Sequence, residues 1–337
     1  LDFMNHNKVK SHRLKIATRS SPLALIQADY VKKNLQRQGI SSELCQIKTT
    51  GDRIQDRPLH EIGGKGLFIK ELEKSLINKD THIAVHSLKD LPCELNSQFK
   101  FVAYLSRNYF HDVLVVPGAN DFFHKQLKGK VLLTEKDFAQ LDSCLIGTGS
   151  LRRKALVQNT NSRVKVAPIR GNINTRLGKL QAGEMDALIL SEASLVRLNI
   201  LPKDFVFYKL DPQWFVPCTA QGVIVVESLA DSVFEETAFH EMSCEKTRKC
   251  CELERAVLSS LGGSCLLPIG IYFVHKDGFY WVHVLVMNEE GSKILRYQEF
   301  FPVTEGKKDL VAKIKKGLYD KNVNDILQDL GLEPITG

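Results

Sequence analysis

Ile83-Ala84-Val85-His86-Ser87-Leu88-Lys89-Asp90 is the stretch that decides how this chain reads. A short apolar run bounded by polar residues fits a buried strand, and here it passes directly into Ser, Lys and Asp. In an open α/β sheet, ligands bind in the crevice beyond the carboxyl ends of the strands. Lys89 and Asp90 therefore stand where a buried element meets a cleft. A carboxylate beside an ammonium can be held ionised and aimed at a ligand, which suits the stabilisation of a cationic intermediate. The same pair suits a structural ion pair at a strand end, and this stretch alone does not separate the two readings.

Working outward, residues 14–18 read as a strand, and Pro22 sits where helix-start chemistry prefers it, ahead of an amphipathic run over 23–35. Residues 43–48 alternate as a strand, 49–66 form a polar loop rich in Gly and Asp, and Leu67, Phe68, Leu72 and Leu76 carry helical spacing. This β-α-β-α-β order implies a largely parallel sheet. A second set begins near Asp112, with strands at 113–116, 144–146, 164–166 and 187–190 and helices after Ser150, Asn172 and Ser191. Residues 117–142 carry no readable pattern. Residues 223–226 are strand-like again, and Pro217 marks a crossing back. From 242 the texture changes to a helix reaching Leu261, three alternating segments (269–274, 280–287, 293–300) and further helices to Leu332. Lys276-Asp277-Gly278 and Glu289-Glu290-Gly291 are hairpin signals. The expected fold class is α/β with three domains. Two α/β domains, 13–111 with 217–240 and 112–216, flank a cleft, and a smaller α+β domain, 241–337, holds a three-stranded antiparallel sheet.

At 337 residues the chain is too long for one small core. Charged residues at 25% and hydrophobic ones at 43% describe an ordinary globular protein. No apolar run approaches the roughly 18 residues needed to cross a bilayer, which argues against a membrane partner. Residues 1–13 are polar and basic without an apolar core, so they read as a leader rather than a signal peptide. Eight cysteines without a C-x-x-C pair favour a reducing, cytoplasmic setting. The net charge of +7 is scattered along the chain, which speaks against nucleic acid and fits a small anionic ligand.

Arginines recur at strand-to-helix junctions. Gly147-Thr148-Gly149-Ser150-Leu151-Arg152-Arg153, Arg170-Gly171-Asn172-Ile173-Asn174-Thr175-Arg176 and Arg19-Ser20-Ser21-Pro22 all have this form. Helix N-termini expose unpaired N–H groups, and Arg adds a bidentate fork for carboxylate. Three such junctions point to a ligand with several anionic arms. Nucleotide readings fail: Arg152 stands where a dinucleotide fingerprint needs Gly, and Gly63-Gly64-Lys65-Gly66 lacks the spacing of a phosphate-binding loop. That loop reads either as a mobile connection or as a flap whose Lys65 and Phe68 close over a ligand. Cys265, after Gly262-Gly263-Ser264, reads as an exposed nucleophile or attachment point, or else as buried filler. His240, Cys244 and Cys251 share a face only if one helix spans them, and no recognised zinc spacing supports a metal site. His86, Ser87 and Asp90 lie too close in sequence for a hydrolytic triad.

Five strings taken together resemble the porphobilinogen deaminase (hydroxymethylbilane synthase) family: residues 17–24, 63–68 and 84–92, Arg170-Gly171-Asn172 with Thr175-Arg176, and the Cys265 loop. The resemblance runs from about Leu14 to beyond Pro268 and is looser after that. It implies two domains like those of periplasmic binding proteins plus a third carrying a dipyrromethane cofactor, bound through a thioether at Cys265. It implies a monomeric transferase of heme biosynthesis that deaminates and joins four porphobilinogen units on that primer and releases hydroxymethylbilane. Asp90 takes the place of the catalytic carboxylate. Ser87, Lys89, Thr148, Ser150, Arg152, Arg153 and Gly171 fall at cofactor positions. Arg19, Ser21, Lys65, Phe68, Arg170, Arg176, Arg197 and Gln221 fall at substrate positions, and Asp52 and Asp56 match polar positions of the active-site loop. Ser264, Gly149, Ala220 and the length of 117–142 depart from the family pattern. The rival reading, a solute-binding protein using the same paired-domain cleft without chemistry, requires an export signal and a dispensable Cys265.

Overall fold

Short Val-, Ile- and Leu-rich runs separated by polar turns favour strands, and amphipathic runs between them favour helices. The computed structural model describes residues 13–49, 69–200, 204–232, 236–264 and 266–337. Among these residues the strands assemble into three sheets.

The first sheet contains β1 (Leu14–Arg19), β2 (Ser42–Ile47), β3 (Ile83–Ser87), β4 (Phe99–Tyr104) and β11 (Ile224–Leu229), in the order β2-β1-β3-β11-β4. β1 runs parallel to β2 and β3, as the βαβ pattern requires. β11 is antiparallel to both β3 and β4, so the sheet is mixed rather than largely parallel. The difference arises because β11 enters from the second unit, after a long excursion that the local pattern does not record. Helix α1 (Pro22–Arg37) starts on the Ser21 cap and buries Ala28, Val31 and Leu35 against Ile16, Ile83 and Val85. Helix α2 (Lys70–Ile77) lays Leu72 and Leu76 on the other face.

The second sheet contains β5 (Asp112–Pro117), β6 (Leu132–Leu133), β7 (Leu145–Gly147), β8 (Lys165–Ala167), β9 (Ala187–Ser191) and β10 (Phe205–Leu210), in the order β6-β10-β5-β9-β7-β8. Helices α5 (Leu151–Thr160), α6 (Ile173–Gln181) and α7 (Glu192–Arg197) follow β7, β8 and β9. The stretch without sequence pattern folds into α3 (Asp121–Gln126), β6 and α4 (Glu135–Ala139). Asn120 caps the first helix and Thr134 forms a capping box on the second, while fully buried Phe123 and Phe138 tie both to the core. Elements of two to six residues are too short to show a period, which is why the sequence hid them.

The third sheet is a meander of β12 (Ile269–Lys276), β13 (Phe279–Met287) and β14 (Ile294–Pro302). Asp277 and Gly278 both have positive φ (52° and 79°), as a two-residue type I′ hairpin demands. One face packs on α9 (Glu245–Ser260), α10 (Lys307–Tyr319) and α11 (Asn324–Asp329). Tyr272, Leu285 and Met287 on the other face join Trp214 and Val216 in the core of the second unit. The helix expected over 242–261 is α9, and a separate helix, α8 (Glu236–Met242), precedes it. Between them the Ser243 hydroxyl accepts from the Tyr104 N–H at 3.0 Å, and the Cys244 N–H donates to the Tyr104 carbonyl at 2.7 Å. This break removes the single face that would have aligned His240, Cys244 and Cys251.

The chain crosses between the first two units at 105–111 and 211–223, and the third unit grips both crossings. Glu254 of α9, fully buried, accepts from the Arg107 guanidinium at 2.6 Å, from the Ala220 N–H at 2.7 Å and from the Phe273 N–H at 2.9 Å. Arg107 also donates to the Phe273 carbonyl and sits over the Tyr272 ring. Burial pushes the Glu254 carboxyl up, and Arg107 opposes it. Removing one partner of such a pair leaves an uncompensated buried charge, a loss of about 3–5 kcal/mol. Glu254→Ala should lower the urea unfolding free energy by that amount, and an unchanged urea midpoint would show that the crossings do not depend on it.

Candidate active site

The end of β3 builds one wall. After Ser87 the chain makes a single 3₁₀ turn over Leu88–Asp90. Leu88 is fully buried and its N–H donates to the Val223 carbonyl at 3.0 Å, which pins the turn to β11. Lys89 is left half-buried and Asp90 exposed at the mouth of a cleft of about 200 Å³. Ser87 lines the cleft and shares hydrogen bonds with the buried Gln27 amide of α1, at 2.9 and 3.2 Å. Beneath them His86 Nε2 lies 3.0 Å from Glu227 Oε2 on the neighbouring strand. Burial draws the Lys89 ammonium below its ordinary range; Asp90 opposes that shift and Arg153 adds to it.

The facing wall comes from the second unit. Arg153, Arg176 and Arg197 line the cleft together with Leu190, Ser191 and Ser194. Burial, with Arg153 and Arg170 adding their charges, lowers the Arg176 pKa to about 10. Burial brings Arg197 to about 10 as well, and its guanidinium donates to the Gly222 carbonyl. The Arg170 Nη2 is buried without a hydrogen-bond partner among the described residues. Mutually repelling, partly desolvated guanidinium groups are a site prepared for anions.

Asp112, the first residue of β5, organises this wall. Its carboxylate is fully buried and accepts from Arg152 Nη2 at 2.8 Å, from Arg153 Nη2 at 2.7 Å and Nε at 3.0 Å, and from Gln221 Nε2 at 3.1 Å. Burial alone would raise its pKa, but the two guanidinium groups and the Gln221 amide overcome this and hold it at about 2. Arg152 also donates to the Val216 carbonyl, and Gln221 to the Phe110 carbonyl. Gly222 follows with φ +89°, and a Cβ there would lie 1.9 Å from the Tyr109 carbonyl oxygen, so only glycine lets the two crossings pass this closely.

Of the residues singled out in the sequence, Ser87, Lys89, Asp90, Arg153, Arg176 and Arg197 come together in the cleft. Arg152 and Gln221 stand behind it on Asp112. Ser21 and Ser150 serve as helix caps, accepting from Ala24 and Arg153 N–H groups, and Thr148 Oγ accepts from the Ser150 N–H at 3.2 Å. Gly171 has φ +103°, and a Cβ at Gly149 would press on the Ile169 carbonyl at 2.9 Å, which accounts for the glycine found there. Arg19 ends β1 at the start of the α1 turn. Lys65, Phe68, Asp52, Asp56 and Cys265 lie outside the described residues. Gln27, Asp112, Ser191 and Ser194 were missed by sequence reasoning. Gln27 carried a signal, being a polar residue at a buried helical position one residue before Ala28.

Comparison with known proteins bears on this arrangement. Residues 14–235 match the family model for the porphobilinogen deaminase dipyromethane cofactor binding domain, and residues 248–320 match that for the porphobilinogen deaminase C-terminal domain. Porphobilinogen deaminase of Coxiella burnetii (strain RSA 331 / Henzerling II) is 33% identical over 324 residues, 96% of this chain and 99% of that protein. The Dugway strain protein is 32% identical over the same extent. Among solved structures, the GluR0 ligand-binding core with L-glutamate aligns over 68% of this chain and 90% of its own, at 11% identity and a TM-score of 0.38. An OxyR mutant of Corynebacterium glutamicum aligns over 73% and 68%, at 12% identity and a TM-score of 0.41.

The Asp112 cluster sets a pH dependence. Its folded pKa lies below the unfolded value of about 3.9, so its contribution to stability is complete above about pH 4 and is lost as pH falls toward 2. The stability gap between wild type and Asp112→Asn should be flat from pH 7 to 5 and narrow below pH 4. A gap that stays constant to pH 2.5 in urea titrations would show that the depressed carboxyl is not its source.

Proposed function

Because the chain belongs to the porphobilinogen deaminase family, we propose that Asp90 is its catalytic carboxylate and that the cationic wall facing Asp90 holds the carboxylate arms of the pyrroles. The reaction is the family's: four porphobilinogen units lose ammonia and are joined on a dipyrromethane primer, and hydroxymethylbilane is released for tetrapyrrole biosynthesis. The observation that carries the site reading is the pairing of one exposed carboxylate with a surplus of half-buried guanidinium charge across a single cleft.

The residues fit a group with several carboxylates. The orphaned Arg170 Nη2 and the mutual repulsion around Arg176 are the features such a group would relieve. Ser87, Lys89, Thr148, Ser150, Arg152, Arg153 and Gly171 would hold the dipyrromethane, with Cys265 as its attachment. When bound it supplies the pyrrole carbon to which the first substrate unit is joined. Porphobilinogen brings an acetate and a propionate, for which Arg19, Ser21, Lys65, Phe68, Arg170, Arg176, Arg197 and Gln221 are the assigned partners. Asp90 accepts from the substrate pyrrole N–H and offsets the positive charge that spreads onto the ring as the carbon–nitrogen bond to ammonia breaks. Lys89, its ammonium disfavoured by burial, gains from each carboxylate brought beside it. The Asp112 cluster keeps Arg153 extended toward the cleft.

We assign residues 13–111 with 217–240, 112–216 and 241–337 as the three domains, each centred on one sheet. We also assign the chain to the cytoplasm as a monomer. The seven described cysteines are free thiols, in keeping with a reducing compartment, and both walls of the cleft come from one chain. No described helix is long and apolar enough to cross a membrane.

Asp90→Ala should reduce turnover of porphobilinogen by at least about 100-fold with an unchanged unfolding midpoint, the scale expected for loss of preorganised charge stabilisation. Near-normal turnover would remove Asp90 from its role. Intact-mass measurement should find the dipyrromethane on wild type and the bare polypeptide in Cys265→Ser; a bare wild-type chain would refute the attachment.

A further inference from the structure

We propose that the paired hydroxyls of Ser191 and Ser194 form an uncharged donor site for one carboxylate arm of the incoming pyrrole, on the wall opposite Asp90. The proposal rests on the cleft being the porphobilinogen site. Both residues line the cleft and both are buried, at 4% and 7% exposure. Their oxygens lie 2.6 Å apart and either can donate to the other. Two hydroxyls carry two protons, and only one fits between two oxygens. The second proton has no acceptor among the described residues, and neither hydroxyl is used to cap α7. That proton is left for whatever fills the cleft, and a carboxylate accepts it more strongly than a neutral acceptor does.

Two further observations favour an anion as that acceptor. Ser194 and Arg197 are three residues apart on α7 and therefore share a face, so a group held by one is within the field of the other. Arg153, Arg170 and Arg176 already crowd this wall and repel one another. Another cation would add to that repulsion, whereas a hydroxyl donates to a carboxylate without adding charge. The other cleft serine, Ser87, is different: Gln27 both accepts from it and donates to it, so its proton is already placed. Because either serine can be the donor within the pair, the free proton can face the ligand from either oxygen. The site therefore tolerates a shift of the carboxylate along α7.

This logic predicts a non-additive pattern. In Ser191→Ala or Ser194→Ala the remaining hydroxyl still has one proton to give, so KM for porphobilinogen should rise no more than about 1.5-fold. The double variant has none, and its KM should rise about tenfold with kcat and the unfolding midpoint unchanged, the scale of a hydrogen bond to a charged group. Ser191→Ala combined with Ser194→Thr, which keeps one hydroxyl, should stay within about twofold of the wild-type KM where the double alanine variant does not. A double-variant KM within twofold of wild type overturns the proposal, as does a KM rise matched by a lowered unfolding midpoint, which would mark the pair as structural. Asp90→Ala assayed in parallel separates the two readings. Inactive Asp90→Ala beside an unchanged double serine variant rejects the donor pair and leaves the catalytic carboxylate standing.

Discussion

A single buried carboxylate, Asp112, sets the conditions for the rest of the cleft. A charge with no exposure survives only when paired and hydrogen-bonded, and Asp112 is met by two guanidinium groups and an amide. Arg152 and Arg153 are consecutive on a helix, so their side chains leave in different directions. One carboxylate at the head of β5 reaches both. Arg153 is thereby held with three of its nitrogens bonded, two to Asp112 and one to the Ile189 carbonyl, and it still lines the cleft. A guanidinium fixed before the ligand arrives loses little freedom on binding, which is how a site on rigid elements gains affinity. Asp112 also lowers the net charge that the wall must carry when empty.

Glu254 does for the third unit what Asp112 does for the second. The first crossing is tied by Arg107 to Glu254 and leads into Asp112. The second is tied by Ala220 to Glu254 and by Gln221 to Asp112. Any change of angle between the first two sheets turns about these segments, and each of them is anchored to a buried carboxylate. The close approach of Gly222 to Tyr109 binds them to each other as well. The third unit, whose sheet follows Cys265 in sequence, is thus tied to both segments that join the walls of the cleft.

How legible this was in the sequence follows from the range of the interactions. The end of β3 was readable because a strand boundary and its polar successors are adjacent along the chain. The Asp277-Gly278 hairpin was readable because its backbone demands a particular pair of residues. The antiparallel insertion of β11 was not, since nothing local says which strand it will join. Asp112 looked like the ordinary start of a Val-rich strand, and its partners lie roughly 40 and 110 positions away. Ser191 and Ser194 resemble routine helix-start residues. Their departure from capping exists only in three dimensions, where each hydroxyl faces the other.

The balance of charge in the cleft limits how elongation can proceed. Every added ring brings two carboxylates, while the protein's cations are fixed in number and one pair of them is already committed to Asp112. In the proposed reaction the same guanidinium groups therefore serve successive rings. Strong bidentate fixation of every arm would oppose that transfer, because each step would require breaking charge-assisted bonds before new ones form. A wall that mixes a few fixed arginines with reorientable hydroxyls holds a carboxylate while allowing it to be passed along. The exposed position of Asp90 suits the role proposed for it: in that reading the charge to be offset appears at each addition on a new ring, at the mouth of the cleft.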